Sequence, residues 1–238
     1  EIRLVWLARP PLETAPVPCY YRCMCGRFTL DPSKMDFKEF GVTRVHYQPP
    51  ARWNIAPTTG IAVVRQDDDG ERELVEMRWG LLPSWAKASS KLPLMINARA
   101  DTIASKPAFR SAFKTRRCIV PATGYFEWKK LPDGTKQPFY FTREDTLAFA
   151  AIWEGETVVT ITTEPNKEAA QVHNRMPVIL DSEQYDRWMD PTPLSEEERH
   201  LFLRGLPDGS LNCYPVDRRV GSVRFDDPEL IEVIEKGF

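Results

Sequence analysis

CIVPATGYFEWKKLPDGTKQPFYFTREDTLAFAAIWEGETVVTIT, residues 118–162, is the stretch whose pattern decides the fold. Residues 118–120 and 124–128 are short runs of β-branched and aromatic side chains, the composition of strands. Leu131-Pro132-Asp133-Gly134 then reads as a hairpin turn, with Asp-Gly supplying the positive φ angles. Residues 139–142, 147–153 and 157–162 continue the sheet.

Working outward, residues 25–30 are strand-like. Asp31 caps and Pro32 opens a short helix that Gly41 closes. Residues 61–65 form a strand, 67–70 an acidic turn, and in the next strand Val75, Met77 and Trp79 alternate onto one face. A short helix is expected over 107–113. Downstream, 166–173 is helical, 178–180 a strand, and 182–189 and 195–203 are helices, the last opened by a Ser195/Glu198 capping box. A final short helix falls near 228–234. Strands dominate and helices interrupt them irregularly, unlike the regular alternation of a doubly wound fold.

At 238 residues with 42% hydrophobic content, the chain has material for a sizeable core. No run approaches the ~20 apolar residues of a membrane span, and the apolar stretch 2–8 lacks the length and cleavage site of a signal peptide. Five cysteines are too few for a disulfide scaffold, so a reducing cytoplasm is the expected location. The net charge of −2 argues against indiscriminate nucleic-acid binding but is compatible with a local basic groove. Residues 1–23 read differently from the rest: Pro10, Pro11, Pro16 and Pro18 forbid a helix and no alternation appears. Three origins stay open for this extension: a misassigned start, a pro-segment or a cloning remnant. Residues 24–238 form the expected domain.

The boundary between them, Met24-Cys25-Gly26-Arg27-Phe28, carries the most specific chemistry. If synthesis starts at Met24 and that residue is removed, Cys25 becomes an N-terminal cysteine with an amine and a thiol on adjacent carbons. An aldehyde reacts with both and closes to a five-membered thiazolidine. With unperturbed pKa values of ~7.7–8.0 for the amine and ~8.5 for the thiol, a useful fraction of each is nucleophilic near neutrality. An internal cysteine lacks the amine.

Six motifs stand in order: Cys25-Gly26-Arg27, Trp53-Asn54-Ile55-Ala56-Pro57, Trp79-Gly80-Leu81-Leu82-Pro83-Ser84-Trp85, Ile96-Asn97-Ala98-Arg99-Ala100, Gly124-Tyr125-Phe126-Glu127-Trp128 and His173-Asn174-Arg175-Met176-Pro177. Together they resemble the SRAP family, the SOS response-associated peptidases, from Met24 to about Ile231. The resemblance implies a single α+β domain: a mixed, mostly antiparallel β-sheet or barrel-like core with short helices around it. It implies a protein, active as a monomer without a cofactor or metal, that crosslinks to abasic sites in single-stranded DNA. Such a protein would be cytoplasmic and associate with the nucleoid on damage.

Residue by residue, the resemblance makes Cys25 the crosslinking residue, with Asn97, Glu127 and His173 as its catalytic partners. An amide holds groups without titrating, a partly buried carboxylate shuttles protons, and a histidine titrates near neutrality. Arg27 and Arg99 match phosphate-contacting arginines. Trp53, Trp79, Trp85 and Trp128 are candidate platforms for unstacked bases, of which one or two are expected to serve. Lys87, Lys91, Lys106, Arg110, Lys114, Arg116 and Arg117 form a candidate phosphate track, with Arg218-Arg219 a second cluster.

Each residue has an ordinary structural role open to it. Cys25 suits a core, Glu127 a solvated strand face opposite Phe126 and Trp128, His173 a helix end, Asn97 a turn, and Arg99 a pairing with Asp101. Cys19, Cys23 and Cys25 lack the second cysteine pair of a structural zinc site. Two other functions compete: a cysteine peptidase, one form of which would cut its own N-terminal segment to expose Cys25, and a non-catalytic single-stranded-DNA binding module.

Overall fold

The computed structural model describes residues 25–83, 85–86 and 94–234. The extension, Met24, Lys87 and Lys91 lie outside them. The described chain contains strands β1 (Arg27–Leu30), β2 (Arg44–Val45), β3 (Arg52–Ile55), β4 (Gly60–Gln66), β5 (Arg72–Trp79), β6 (Asn97–Arg99), β7 (Arg117–Ala122), β8 (Gly124–Lys130), β9 (Lys136–Thr142), β10 (Leu147–Glu154), β11 (Thr157–Thr163), β12 (Met176–Pro177), β13 (Ile179–Leu180) and β14 (Asn212–Pro215). Four short helices accompany them: α1 (Arg110–Thr115), α2 (Lys167–Ala170), α3 (Tyr185–Met189) and α4 (Glu196–Phe202).

The strands make two sheets. One runs β14-β9-β8-β1-β3; the larger runs β12-β11-β10-β7-β4-β5-β2, with β13 on β10 and β6 on β11. A parallel pairing of β5 with β11 (Arg78 with Thr157, Trp79 with Val158) joins β11-β10-β7-β4-β5 into a ring. Most pairings are antiparallel, so the expected barrel-like α+β fold is what forms. The chain crosses from one sheet to the other between β7 and β8. Gly124 is required at that crossing, because a Cβ there would sit 2.2 Å from the Tyr140 hydroxyl.

Burial explains the strand sequences. β7 and the first six residues of β10 are buried throughout, which is why they read as continuous apolar runs rather than alternating ones. Phe28 meets Trp79 and Phe149 edge-on at 5.2 and 5.8 Å, and Tyr125 stacks on Phe141 at 4.8 Å. β8 has a core on each face. Phe126 packs in a second cluster with Tyr140, Val216, Val220 and Leu230, whereas Tyr125 belongs to the main core.

Several local expectations are modified. The helix opened by Asp31 is two 3-10 turns, Pro32–Lys34 and Phe37–Phe40, capped by Asp31 and Asp36 and ended by Gly41 at φ 73°. In the β8–β9 turn only Gly134 has positive φ; Asp133 instead accepts bonds from the Thr135 amide and hydroxyl. The helix of 166–173 shrinks to α2, held at its start by Asn166. The Ser195/Glu198 capping box forms as expected. Arg117 is not a surface cation. Its buried guanidinium donates to the carbonyls of Trp188, Phe113, Lys114, Asp190 and Thr192, tying α1 and α3 to β7.

Candidate active site

Cys25 enters β1 at φ 46°, a left-handed conformation that costs a non-glycine residue ~1–3 kcal/mol. The antiparallel register of β1 on β8, Arg27 opposite Phe126 and Phe28 opposite Tyr125, carries Cys25 to Glu127. The backbone N–H of Cys25 donates to Glu127 Oε1 at 2.5 Å. Both residues are closed to solvent, at 6% and 3% exposure. Glu127 shares the inward face of β8 with Tyr125, so the solvated-face alternative fails: a core covers each side of this strand.

Burial sets the electrostatics. It lifts the Glu127 carboxyl to about 7, against the opposing pull of its hydrogen bonds from Cys25. It also pushes the Cys25 thiol well above the usual range, reinforced by the Glu127 charge and opposed by the Arg175 guanidinium. In this state the thiol is protonated at neutral pH, and Glu127 is poised to exchange a proton.

β11 builds the other wall. β6 lies parallel to it, with Asn97 opposite Thr160. The Thr160 hydroxyl donates to Asn97 Oδ1 at 2.7 Å, which turns the amide NH2 toward the Cys25 carbonyl at 3.5 Å. Two residues on, the Thr162 carbonyl accepts Arg175 Nη2 at 2.5 Å. His173 is half-buried, and burial moves its pKa below the ordinary value. Its Nδ1 accepts the Arg175 N–H at 3.2 Å, so the neutral ring carries its proton on Nε2. The described residues show no hydrogen bond from His173 to Cys25 or Glu127. The site thus joins Cys25, Asn97 and Glu127 directly and holds His173 through Arg175. Arg175 is the residue sequence reasoning left without a role, although it stands in the quoted motif two positions after His173.

The DNA-contact candidates divide. Trp79 is a core residue: it is 1% exposed, its indole N–H donates to the Ile96 carbonyl at 2.9 Å, and it offers no face to a base. Trp85 is 61% exposed, while Trp53 and Trp128 are half-buried. Arg99 makes a two-point pair with Asp101 at 3.1 and 2.7 Å, both half exposed. Such an exposed pair is screened by solvent and is a small obstacle to a phosphate. Arg27 is half-buried, and with Cys25, Trp79, Tyr125 and Thr160 it lines a cavity of about 10 Å³. Lys106, Arg110 and Lys114 are exposed, whereas Arg116 is tied to Glu154.

The model of the family described as SOS response associated peptidase (SRAP) matches residues 24–223. The abasic site processing protein YoqW of Bacillus subtilis is 36% identical over 225 residues, covering 88% of this chain and 99% of that protein. YedK of Escherichia coli, of the same description, is 29% identical over 89% of this chain and its own full length. The chicken protein HMCES, also described so, is 34% identical over 73% of this chain and 62% of its own. Among solved structures, a protein of Bacteroides thetaiotaomicron superposes with a TM-score of 0.65 at 30% identity, covering 74% of this chain and 82% of its own. A phage-related protein of Bordetella bronchiseptica gives 0.66 at 28%, covering 82% and 95%. With the family model matching residues 24–223 and a relative 36% identical over 88% of its length, the chain belongs to the SRAP family.

Proposed function

We propose that this protein traps abasic sites in single-stranded DNA through Cys25 once residue 24 and all before it are removed. The observation that carries the reading is the 2.5 Å contact between the Cys25 nitrogen and the buried Glu127 carboxylate. Removal of residue 24 turns that amide nitrogen into an amine without moving its partner. The abasic processing of the named relatives supports the substrate class.

In this mechanism the neutral amine attacks the aldehyde carbon of the ring-opened sugar and its surplus proton passes to Glu127. The protonated carboxyl returns that proton to the alkoxide, giving the carbinolamine, and then relays the remaining N–H proton to its hydroxyl, which leaves as water and gives the neutral imine. The thiol sulfur then adds to the imine carbon while the nitrogen takes up the thiol proton, closing the thiazolidine. Burial raises this carboxyl toward neutrality in the intact chain, and a buried carboxyl raised in this way can both take and return a proton. Asn97 orients the Cys25 carbonyl, His173 offers its Nε2 proton to a sugar oxygen, and Arg27 and Arg99 supply cations for phosphates.

Self-processing is a second reading, favoured by the strained φ of Cys25 and by the placement of Glu127 on the nitrogen that would depart. Glu127 takes the Cys25 thiol proton as Sγ attacks the carbonyl carbon of residue 24, and passes it to the nitrogen as the C–N bond breaks. Water then hydrolyses the thioester to a carboxylate and a free Cys25.

Cys25→Ser tests the trapping chemistry, because it keeps the amine but lacks the thiol. Processed wild type is expected to give an adduct stable to denaturation without reductant, and the serine variant only when borohydride traps the imine. A stable adduct from Cys25→Ser without borohydride overturns the thiazolidine step.

A further inference from the structure

The hydroxyl of Tyr125 is buried beside the site and has no part in the chemistry above. Tyr125 stands on β8 two residues before Glu127 and is 1% exposed. Its ring is clamped by the core, stacked on Phe141 with centroids 4.8 Å apart and edge-on to Phe149 at 6.1 Å. A ring packed in this way cannot swing its hydroxyl out to solvent. Among the described residues, Tyr125 Oη meets no hydrogen-bond partner. Tyr140, in the second cluster, shows the ordinary case: its hydroxyl lies 2.8 Å from Thr29 Oγ1. Buried polar groups are nearly always paired, so the orphan on Tyr125 calls for a partner.

The cavity of about 10 Å³ under Cys25 is where that partner fits. Cys25, Tyr125 and Thr160 line it, and Phe28, Trp79 and Phe149 add apolar wall. Its volume is about what a single water needs, provided that roughly two to four polar groups hold the molecule. The lining residues bring them. Tyr125 offers an O–H, and burial together with the charges of Cys25 and Glu127 holds its phenol well above the usual pKa, so it stays a donor. Thr160 directs its proton to Asn97 Oδ1 at 2.7 Å, which leaves its oxygen to accept. The Cys25 sulfur is a second, weaker acceptor.

We propose that this cavity binds one water, which accepts from Tyr125 and donates to Thr160 Oγ1 and Cys25 Sγ, and that Tyr125 is thereby a positioning residue for the thiol step. This rests on the reading of Cys25 as the trapping residue. As sulfur adds to the imine carbon, its proton goes to the nitrogen and negative charge builds on sulfur. A water anchored by the phenol presents an O–H to that charge without having to reorganise. No proton passes through Tyr125 and no bond forms or breaks at it. The earlier imine step uses the nitrogen and Glu127 and leaves the sulfur aside.

The test is Tyr125→Phe in protein with Cys25 at its N-terminus, a change that removes the oxygen and keeps the ring. Two rates are read with single-stranded DNA bearing an abasic site: adduct trapped by borohydride, which reports the imine, and adduct stable to denaturation without reductant. Expected is a wild-type rate of trapped imine and a severalfold slower stable adduct. A merely structural hydroxyl would move both rates together or neither, and either result overturns the positioning role. If wild type itself gives no stable adduct, the trapping reading fails and the positioning role with it. A crystal structure of the wild-type chain is the second measurement and does not depend on the variant folding. It should show a water within hydrogen-bond distance of Tyr125 Oη and Thr160 Oγ1; a dry cavity overturns the proposal.

Discussion

The carboxylate of Glu127 and the backbone nitrogen of Cys25 meet at 2.5 Å inside the protein, where the turn leading into β1 reaches β8, its antiparallel partner. The contact holds a strained residue in place in the intact chain, and under the proposed trapping it would hold the amine of a cut one.

The buried carboxyl makes stability depend on pH. Glu127 ionises at about 7 in the folded chain against 4.5 for an ordinary glutamate, so between those values the folded state keeps a proton that the unfolded state has lost. Stability contributed by the protonated form is complete below 4.5 and is lost as pH rises through 7, by at most about 3 kcal/mol. Urea unfolding of wild type and Glu127→Gln at pH 5 and pH 8 reads this directly. The stability of wild type relative to the variant is expected to fall between the two values, and a pH-independent difference would contradict it.

Cutting the chain before Cys25 should reverse part of that shift. An ammonium in place of the amide brings a positive charge against Glu127, which pulls its pKa down and raises that of the amine. Carboxyl resonances followed by NMR titration are expected to show Glu127 ionising at lower pH in the processed protein than in the intact chain.

Arg175 acts on the thiol. Among the described residues, its guanidinium is the charge that lowers the Cys25 pKa against burial and Glu127. Arg175→Met should raise the thiol pKa further and slow iodoacetamide alkylation of Cys25 severalfold at a fixed pH below it. An unchanged rate would remove Arg175 from the site's electrostatics.

Trp79 and Trp85 should separate stability from binding. Trp79→Ala empties a core position and is expected to cost about 3–5 kcal/mol of stability. Trp85→Ala, at a largely exposed ring, should leave stability within about 0.5 kcal/mol yet weaken single-strand binding by about 1–3 kcal/mol. Thermal unfolding and fluorescence titration of both variants check the contrast.

Strands were legible in the sequence because β4, β7, β8, β10 and β11 pack β-branched and aromatic residues into runs bounded by turn residues. The ring closure was not, since the parallel β5–β11 contact joins residues far apart through only two pairs. Motif order singled out Cys25, Asn97 and Glu127 as candidates, and the fold places the three next to one another. The burial of Glu127 was hidden because strand alternation alone does not tell whether the second face meets water or a second core. Trp79 and Arg117 misled for the same reason: one residue type serves both a surface and a core. Arg175 acts through a partner distant in sequence, Thr162, and spacing carries no trace of it.

The central claim is that a free Cys25 terminus does the trapping. Two preparations decide it, one with residues 1–23 and one beginning at Met24, each weighed intact and then incubated with single-stranded DNA bearing one abasic site before a denaturing gel. The account predicts a shifted band only from protein whose mass shows Cys25 at the N-terminus, including any that the longer chain releases by cutting itself. A shifted band from protein that retains residues before Cys25, or none from protein with Cys25 confirmed at its terminus, would contradict it.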